Sequence, residues 1–307
     1  MKDIFVLASF TIDKIIIKGR KYTQWGGPAF YAVLPPVVLN LPVYLFGSYG
    51  KDFPWKIPKF PGRLIQTDVS IVFEHTYENS TRKSRIISYP KPVNIEIPRI
   101  FSVGFINPVF NEFTLNTIRK AMKRARIVGI DIQGFIRKVK NGNVVLEKDE
   151  RVLEILQNAD IVKMDLTEFN VVEKFLGKVC LITLAEKGAI AKKDQEFLYI
   201  PTYYVEGDPT GTGDVFLSAF LIKFSETRDI AKALAFANAF ASILVEGKIF
   251  TRKEKDISEV FKKLKKDTAH IIKLVNERTE LLLGKKKRFT SIKDAIRYAY
   301  VFQSNTQ

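Results

Sequence analysis

Six short runs of this 307-residue chain, at positions 4–9, 43–47, 100–104, 127–132, 161–164 and 179–184, are mostly apolar. Several are flanked by segments, such as 111–126 and 148–158, whose apolar residues recur at helical spacing. Short strands alternating with helices suit a sheet covered on both faces, so the pattern predicts a doubly wound, mostly parallel α/β fold. In such sheets ligands bind beyond the carboxyl ends of the strands, and the loops after these runs are where chemistry is expected.

Two segments depart from this rhythm. Residues 13–24 and 63–90 alternate polar and apolar side chains with no helix between them. Ile71, Phe73, His75 and Tyr77 would share one strand face, with Val72, Glu74 and Thr76 on the other. They are expected to form a small discontinuous β lid over the ligand edge of the main sheet. Residues 24–50 carry no charge, yet Pro28, Pro35, Pro36 and Pro42 argue against a membrane span and for a buried helix followed by a buried strand.

The composition excludes some chemistries. One cysteine, Cys180, cannot close an internal disulfide, and two histidines, His75 and His270, cannot build a zinc cage. All three are expected to be structural or superficial. The first apolar run is short and preceded by Asp3, unlike a signal peptide, so a cytoplasmic location is expected. The formal net charge is +16, and residues 248–307 hold sixteen Lys/Arg against seven Asp/Glu, a net +9. Read from its charge, residues 268–307 form a basic helical extension behind a domain spanning 1–267. Within it Ile271, Ile272, Val275, Arg278 and Leu282 fall near one helical stripe, and Ser291 with Asp294 reads as a capping box opening a helix over 292–302. The run Lys285-Lys286-Lys287-Arg288 would suit an anionic surface, but no aromatic residues interleave it and no nucleic-acid motif accompanies it. A solvated helical face, packing across the main domain or a homodimer contact remain open, and nucleic acid is not the expected partner.

The segment Glu206-Gly-Asp-Pro-Thr-Gly-Thr-Gly-Asp214 runs directly into the apolar VFLSAFLIKF. Glycines before a helix let the backbone approach a ligand, and the first helical amides make an anion site. Asp214 at its edge reads either as a base for an attacking hydroxyl or as a helix-capping acid. A GxxxxGK[ST] loop is absent, which excludes a Walker-type site.

Asp208-Pro-Thr-Gly-Thr-Gly-Asp214 closely resembles the DTxGAGD signature of the ribokinase-like (PfkB) carbohydrate kinases, with Thr212 in place of the usual alanine. Further segments resemble family motifs in the family's order. They are Asp13 in Ser9-Phe-Thr-Ile-Asp13, the Gly26-Gly27-Pro-Ala-Phe-Tyr31 loop, a lid strand at Phe73–Tyr77 with Arg82, the Lys163-Met-Asp165-Leu-Thr-Glu168 region, and Thr183-Leu-Ala-Glu-Lys-Gly188-Ala. The resemblance covers roughly residues 1–264.

It implies ATP-dependent phosphorylation of a hydroxyl on a small polyol or sugar. Asp214 would be the general base, and the amides of Gly211, Thr212 and Gly213 would hold the transferring phosphoryl group. Glu168 and Asp165 would organise Mg2+. Lys163, Thr183, Gly188 and Asn238, the last in a helix over 230–245, would serve the nucleotide. Asp13, the Gly26-Gly27 backbone and Tyr31 would face the substrate. Tyr31 and Asp165 stand where the family has asparagine, Ala185 replaces a glycine, and Pro35-Pro36 should kink the helix after the GG loop. Asp131-Ile-Gln-Gly-Phe-Ile-Arg137 resembles a segment of archaeal-type members acting on inositol-like polyols. Gln133 and Arg137 would then contact substrate or lid, or else merely shape a loop. A nucleoside acceptor stacked on Tyr31, Phe73 or Tyr77 is the alternative. Arg82 and Arg85 on the lid also leave a phosphorylated sugar open. The non-enzymatic alternative is a basic nucleic-acid-binding protein on a kinase scaffold.

Overall fold

The structure, a computed structural model, describes residues 2–78, 81–249, 254 and 256–304. The chain begins with strands β1 (Ile4–Ala8), β2 (Thr11–Ile17) and β3 (Arg20–Gly26), then short helices α1 (Pro28–Tyr31) and α2 (Leu34–Val38). Strands β4 (Val43–Gly50), β5 (Gly62–Thr67), β6 (Ile71–Glu78), β7 (Thr81–Ser88) and β8 (Phe101–Asn107) follow. Next come α3 (Leu115–Met122), β9 (Ala125–Asp131), α4 (Gln133–Ile136), β10 (Arg137–Lys140), β11 (Asn143–Leu146) and α5 (Glu150–Leu156). After β12 (Ile161–Asp165), α6 (Leu166–Val172), β13 (Val179–Thr183), β14 (Ala189–Lys193) and β15 (Glu196–Ile200), helices dominate. These are α7 (Thr212–Thr227), α8 (Ile230–Val245), α9 (Ile257–Leu283) and α10 (Ile292–Ser304), with β16 (Lys287–Phe289) before the last.

Ten strands make the main sheet in the order β16-β15-β14-β13-β12-β9-β8-β1-β4-β5. From β5 through β13 the neighbours are parallel, and β14, β15 and β16 close the far edge antiparallel. Strand β1 shows why the apolar runs are continuous. Ile4, Val6 and Ala8 enter a core with α1, α2, α7, α8 and α9, whereas Phe5 and Leu7 enter a second core with α3, α5, α6 and α10. Alternate residues therefore both need apolar side chains. The chain passes from β1 to β4 on one side and to β8 on the other, and this reversal opens a crevice at the strands' carboxyl ends.

A second sheet of six strands, β10-β11-β7-β6-β2-β3, lies over that end. Ile71, Phe73 and Ile86 from this sheet pack with Val109 and Phe110 of the loop after β8, fastening the lid to the main body. Its composition corrects the expectation for 63–90. Strand β5 belongs to the main sheet beside β4, and β10 and β11 complete the lid instead. A two-residue period marks a strand but does not say which sheet it joins.

The boundary expected at 267 falls inside α9, which continues unbroken to Leu283. Ile271, Val275 and Leu282 lie in the core shared with α7 and α8, and β16 pairs with β15. Ala295 and Ala299 of α10 are buried in the other core. The basic count described the solvated face of these elements, while the stripe read at Ile271, Val275 and Leu282 is the face that joins α9 to the core. In the stretch after β3 the break comes between α1 and α2, earlier than Pro35-Pro36. Both prolines sit in the first turn of α2, where a missing N–H costs little. Among the described residues, no helix is long and apolar enough to cross a membrane.

Candidate active site

The N-terminus of α7 meets the carboxyl ends of β8, β9 and β12. Its N-cap, Gly211, takes a left-handed backbone with φ +80°, and a side chain there would collide with the Tyr31 ring. The turn before it is held by its own side chains. Asp208 Oδ1 accepts from the amide and hydroxyl of Thr210 at 2.9 and 2.6 Å, and the Thr212 hydroxyl donates to the Pro209 carbonyl at 2.8 Å. The chain thus enters the helix by a rigid turn, and the Thr212 amide, expected in the anion site, is a correction: it donates back to the Pro209 carbonyl at 3.2 Å.

Asp214, in the first turn, is only 9% exposed. Asn107 at the end of β8 donates its Nδ2–H to Asp214 Oδ1 at 2.6 Å. Gln133 Nε2 donates to Asn107 Oδ1 at 2.9 Å and reaches Asp214 Oδ1 at 3.5 Å. Arg137 in turn donates to Gln133 Oε1 at 2.7 Å and to the Val109 carbonyl at 3.2 Å. Its guanidinium lies 5.7 Å from the Phe73 ring centroid, so this chain of hydrogen bonds ends at the lid. Burial, reinforced by the negative charge of Asp131, pushes the Asp214 carboxyl up to about 7, against the pull of Lys163, Arg137 and the Asn107 hydrogen bond. A carboxyl poised near neutrality can exchange a proton with a hydroxyl at physiological pH.

Lys163, 7% exposed, projects from β12 and donates to Asp131 Oδ2 at 2.8 Å. Asp131 Oδ1 accepts the Gln133 amide at 3.1 Å. Burial opposes the lysine's charge, but Asp131 and Glu168 outweigh it and hold it firmly protonated. A Cβ at Gly213 would come within 2.9 Å of Lys163 Nζ, so the ammonium lies directly against the start of α7. Asp165 and Glu168 form a capping box on α6. Glu168 N–H donates to Asp165 Oδ1 and Asp165 N–H donates to Glu168 Oε2, both at 2.7 Å. Burial raises the Glu168 carboxyl, with Lys163 opposing the shift. Among the described residues, no group of three or more His, Cys, Asp or Glu side chains is placed to hold a metal ion.

On the other side of Gly213 lies a cavity of about 510 Å3, bordered by Thr183, Gly188, Tyr203, Thr212 and Asn238. Ala185 borders it as well. Asn238 spends its Nδ2 on the carbonyls of Ile200 and Pro201, at 3.0 and 3.1 Å, which anchors the chain leaving β15. On the lid side, Asp13 of β2 accepts from the Thr11 hydroxyl at 2.8 Å. It pairs across the ladder with Gln24, Thr11 pairs with Gly26, and Gly27 caps α1.

The structure brings Asp214, Gly211, Thr212, Gly213, Gln133, Arg137 and Lys163 into one neighbourhood. Tyr31 is a correction. At 2% exposure its ring lies in the core behind Gly211, because the strand-to-helix turn at 26–28 folds α1 inward. Lys163 does not border the cavity and serves Asp131 instead. Asn107 went unnoticed in the sequence, although a polar residue between an apolar strand and Pro108 could have marked it. His75 bonds Ser84 at 2.9 Å, His270 is exposed, and burial pushes the Cys180 thiol up to about 12, leaving it unreactive. Arg85 is exposed beside Glu74, and the Arg82 side chain lies outside the described residues.

Comparison with known proteins shows the family and the fold. The profile of the pfkB family carbohydrate kinases matches residues 99–256. An inositol 3-kinase of Arabidopsis thaliana is 32% identical over 261 residues, 79% of this chain and 74% of the plant protein. A pyrophosphate-dependent kinase in the ribokinase family, solved with a pyrophosphate analog and myo-inositol, superposes with a TM-score of 0.68 at 22% identity, over 80% of this chain and 95% of its own. An uncharacterized sugar kinase from Pyrococcus horikoshii in complex with ATP gives 0.62 at 18% identity, over 84% and 99%. These likenesses identify the ribokinase-like fold, a large mostly parallel sheet flanked by helices. The chain belongs to the pfkB family of carbohydrate kinases and is a phosphotransferase.

Proposed function

We propose that this kinase transfers the γ-phosphoryl group of ATP to a hydroxyl of a small polyol or sugar, with an inositol-like acceptor foremost. The observation that carries this reading is the position of Asp214. Its carboxyl, pushed up to about 7, stands at the head of α7, whose next residues toward the turn, Thr212 and Gly213, border the cavity. One helix end thus faces both an acceptor approaching from the lid and a donor lying in the cavity. The inositol 3-kinase likeness supports the acceptor class, and the cavity's size and Asn238 support a nucleotide as donor.

Asp214 takes the proton of the acceptor hydroxyl as its oxygen attacks phosphorus. The bond from phosphorus to the bridging β–γ oxygen breaks and ADP departs. Asn107 and Gln133 hold the carboxylate in one orientation, and the Gly211 and Gly213 amides receive the charge that builds on the phosphoryl oxygens. Lys163 lies behind those amides and adds positive potential. Asp13, oriented by Thr11, accepts hydrogen bonds from acceptor hydroxyls. Gln133 and Arg137 bear on the acceptor through the network with Asn107. The capping box leaves one oxygen of Asp165 and one of Glu168 outside it, which fits a Mg2+ that keeps waters and takes phosphate oxygens rather than a protein cage. Bound there, the ion would neutralise phosphate charge.

The test is ADP release from Mg-ATP across inositols, sugars, sugar phosphates and nucleosides, with Asp214→Asn as the blank. Turnover on polyols that vanishes in the variant is expected. Turnover confined to nucleosides would overturn the acceptor class, and equal turnover by Asp214→Asn would remove the base.

A further inference from the structure

Arg278 lies on the buried stripe of α9, between Val275 and Leu282, and is 7% exposed. A guanidinium does not give up its proton, so burying one is tolerated only when its donors and its flat face are used. Here one terminal nitrogen donates to Ser242 Oγ at 2.9 Å, and the other pairs with Glu246 Oε2 at 2.5 Å. The guanidinium carbon stands 4.2 Å from the centroid of the Tyr203 ring, a cation–π contact. Ser242 donates its own proton to the Ala239 carbonyl at 2.7 Å, so its oxygen is fixed on α8.

Two of the three groups that Arg278 holds, Tyr203 and Ser242, border the cavity beside Gly213, while Glu246 and Arg278 itself do not. Tyr203 keeps 37% of its surface exposed, so ring surface beyond the guanidinium is offered to the cavity. Arg278 lies beyond the stretch matched by the family profile, on a helix whose charge had suggested a peripheral tail. A ring pinned by a buried cation is a rigid flat wall. Flat apolar walls discriminate between a donor that carries a base and one that is only a phosphate chain.

We propose that Arg278 is a positioning residue that holds Tyr203 as the stacking wall for a nucleobase, so that α9 makes this site select a nucleotide over an inorganic phosphate chain. The proposal rests on reading the cavity as the donor site. The base gains the stacking contact, worth about tenfold in affinity on the usual scale for a base against an aromatic ring. Inorganic tripolyphosphate, having no base, gains nothing from it.

The experiment titrates ADP and, separately, inorganic tripolyphosphate into the full-length protein with Mg2+, and measures the acceptor KM. Wild type is compared with Tyr203→Ala, Arg278→Met and Arg278→Lys. Tyr203→Ala and Arg278→Met should weaken ADP about tenfold while tripolyphosphate affinity and acceptor KM stay within about twofold. Arg278→Lys should fall between, because an ammonium keeps the charge and loses the planar fork. Equal weakening of ADP and tripolyphosphate, or none of either, would overturn the proposal. Should Arg278→Met fail to fold, Tyr203→Ala alters a part-exposed ring and decides the matter alone. A wild-type protein that binds tripolyphosphate and ADP equally well sinks this inference alone, whereas one that binds neither sinks the donor reading itself.

Discussion

Beneath the head of α7, four charged side chains, Asp131, Lys163, Glu168 and Asp214, are buried within one cluster. Along α9 and its sequel, Lys262, Lys265, Lys266, Lys273, Lys285, Lys286 and Lys287 are all exposed. The second group adds to the charge count, and the first lies where the chemistry is proposed. Water screens an exposed ion pair such as Lys273 and Glu277, 3.9 Å apart, so it adds little to stability. In the interior, burial pushes the Asp214 and Glu168 carboxyls up, Asp131 adds to that push and Lys163 opposes it. Charge density along a sequence is therefore a poor guide to function until burial is known.

That contrast can be broken most sharply at Asp214. Asp214→Asn should lower kcat by about a thousandfold or more, in the range general-base and electrostatic losses reach, with ADP affinity by calorimetry nearly unchanged. Retained turnover would mean that the buried cluster is structural only.

Next in size is Lys163→Met, which strands Asp131 and Glu168 without their buried cation. Denaturant unfolding should show a loss of about 3–5 kcal/mol, the usual cost of half a buried pair. A loss under about 1 kcal/mol would place this lysine with the solvated ones.

A smaller effect should appear in the pH profile of kcat/KM. Asp214 must be ionised to act, so activity should rise with pH through a limb near 7. Asp131 is one of the causes raising that carboxyl, while Lys163 and Arg137 lower it. In Asp131→Asn the raising charge is gone and the lowering ones remain, so the limb should move to lower pH. A limb that stays in place or moves up would contradict the assignment.

The smallest effect is expected from Lys285→Ala and Lys286→Ala, within about 0.5 kcal/mol in stability and without consequence for turnover at any salt concentration. A marked, salt-dependent change would return function to the basic surface.

The two periodicities account for what was readable. Apolar runs buried on both faces announced the parallel sheet, and alternating runs at 13–24 and 63–90 announced a second one, although the start of the latter joined the main sheet as β5. Burial against two layers leaves that imprint on every residue of a strand such as β1. Asp214 was readable because its setting is local, a Gly-rich turn followed at once by an apolar helix. Asn107 was not, since its meaning depends on Asp214, which lies 107 positions away. Nor was Tyr31 as a core residue, because the turn that hides it is decided by how α1 packs behind Gly211.

Local chemistry was thus determined by sequence alone: the strands and helices, the Thr210–Gly213 entry to α7, and the family. Tertiary structure decided the membership of the two sheets and the unity of α9 with the core. It also brought Asn107, Asp131, Lys163 and Arg278 to their partners. Hydrogen-bonded turns and periodic burial depend on residues a few places apart, whereas a carboxyl's proton affinity and a guanidinium's burial depend on groups that only folding brings within 3 Å.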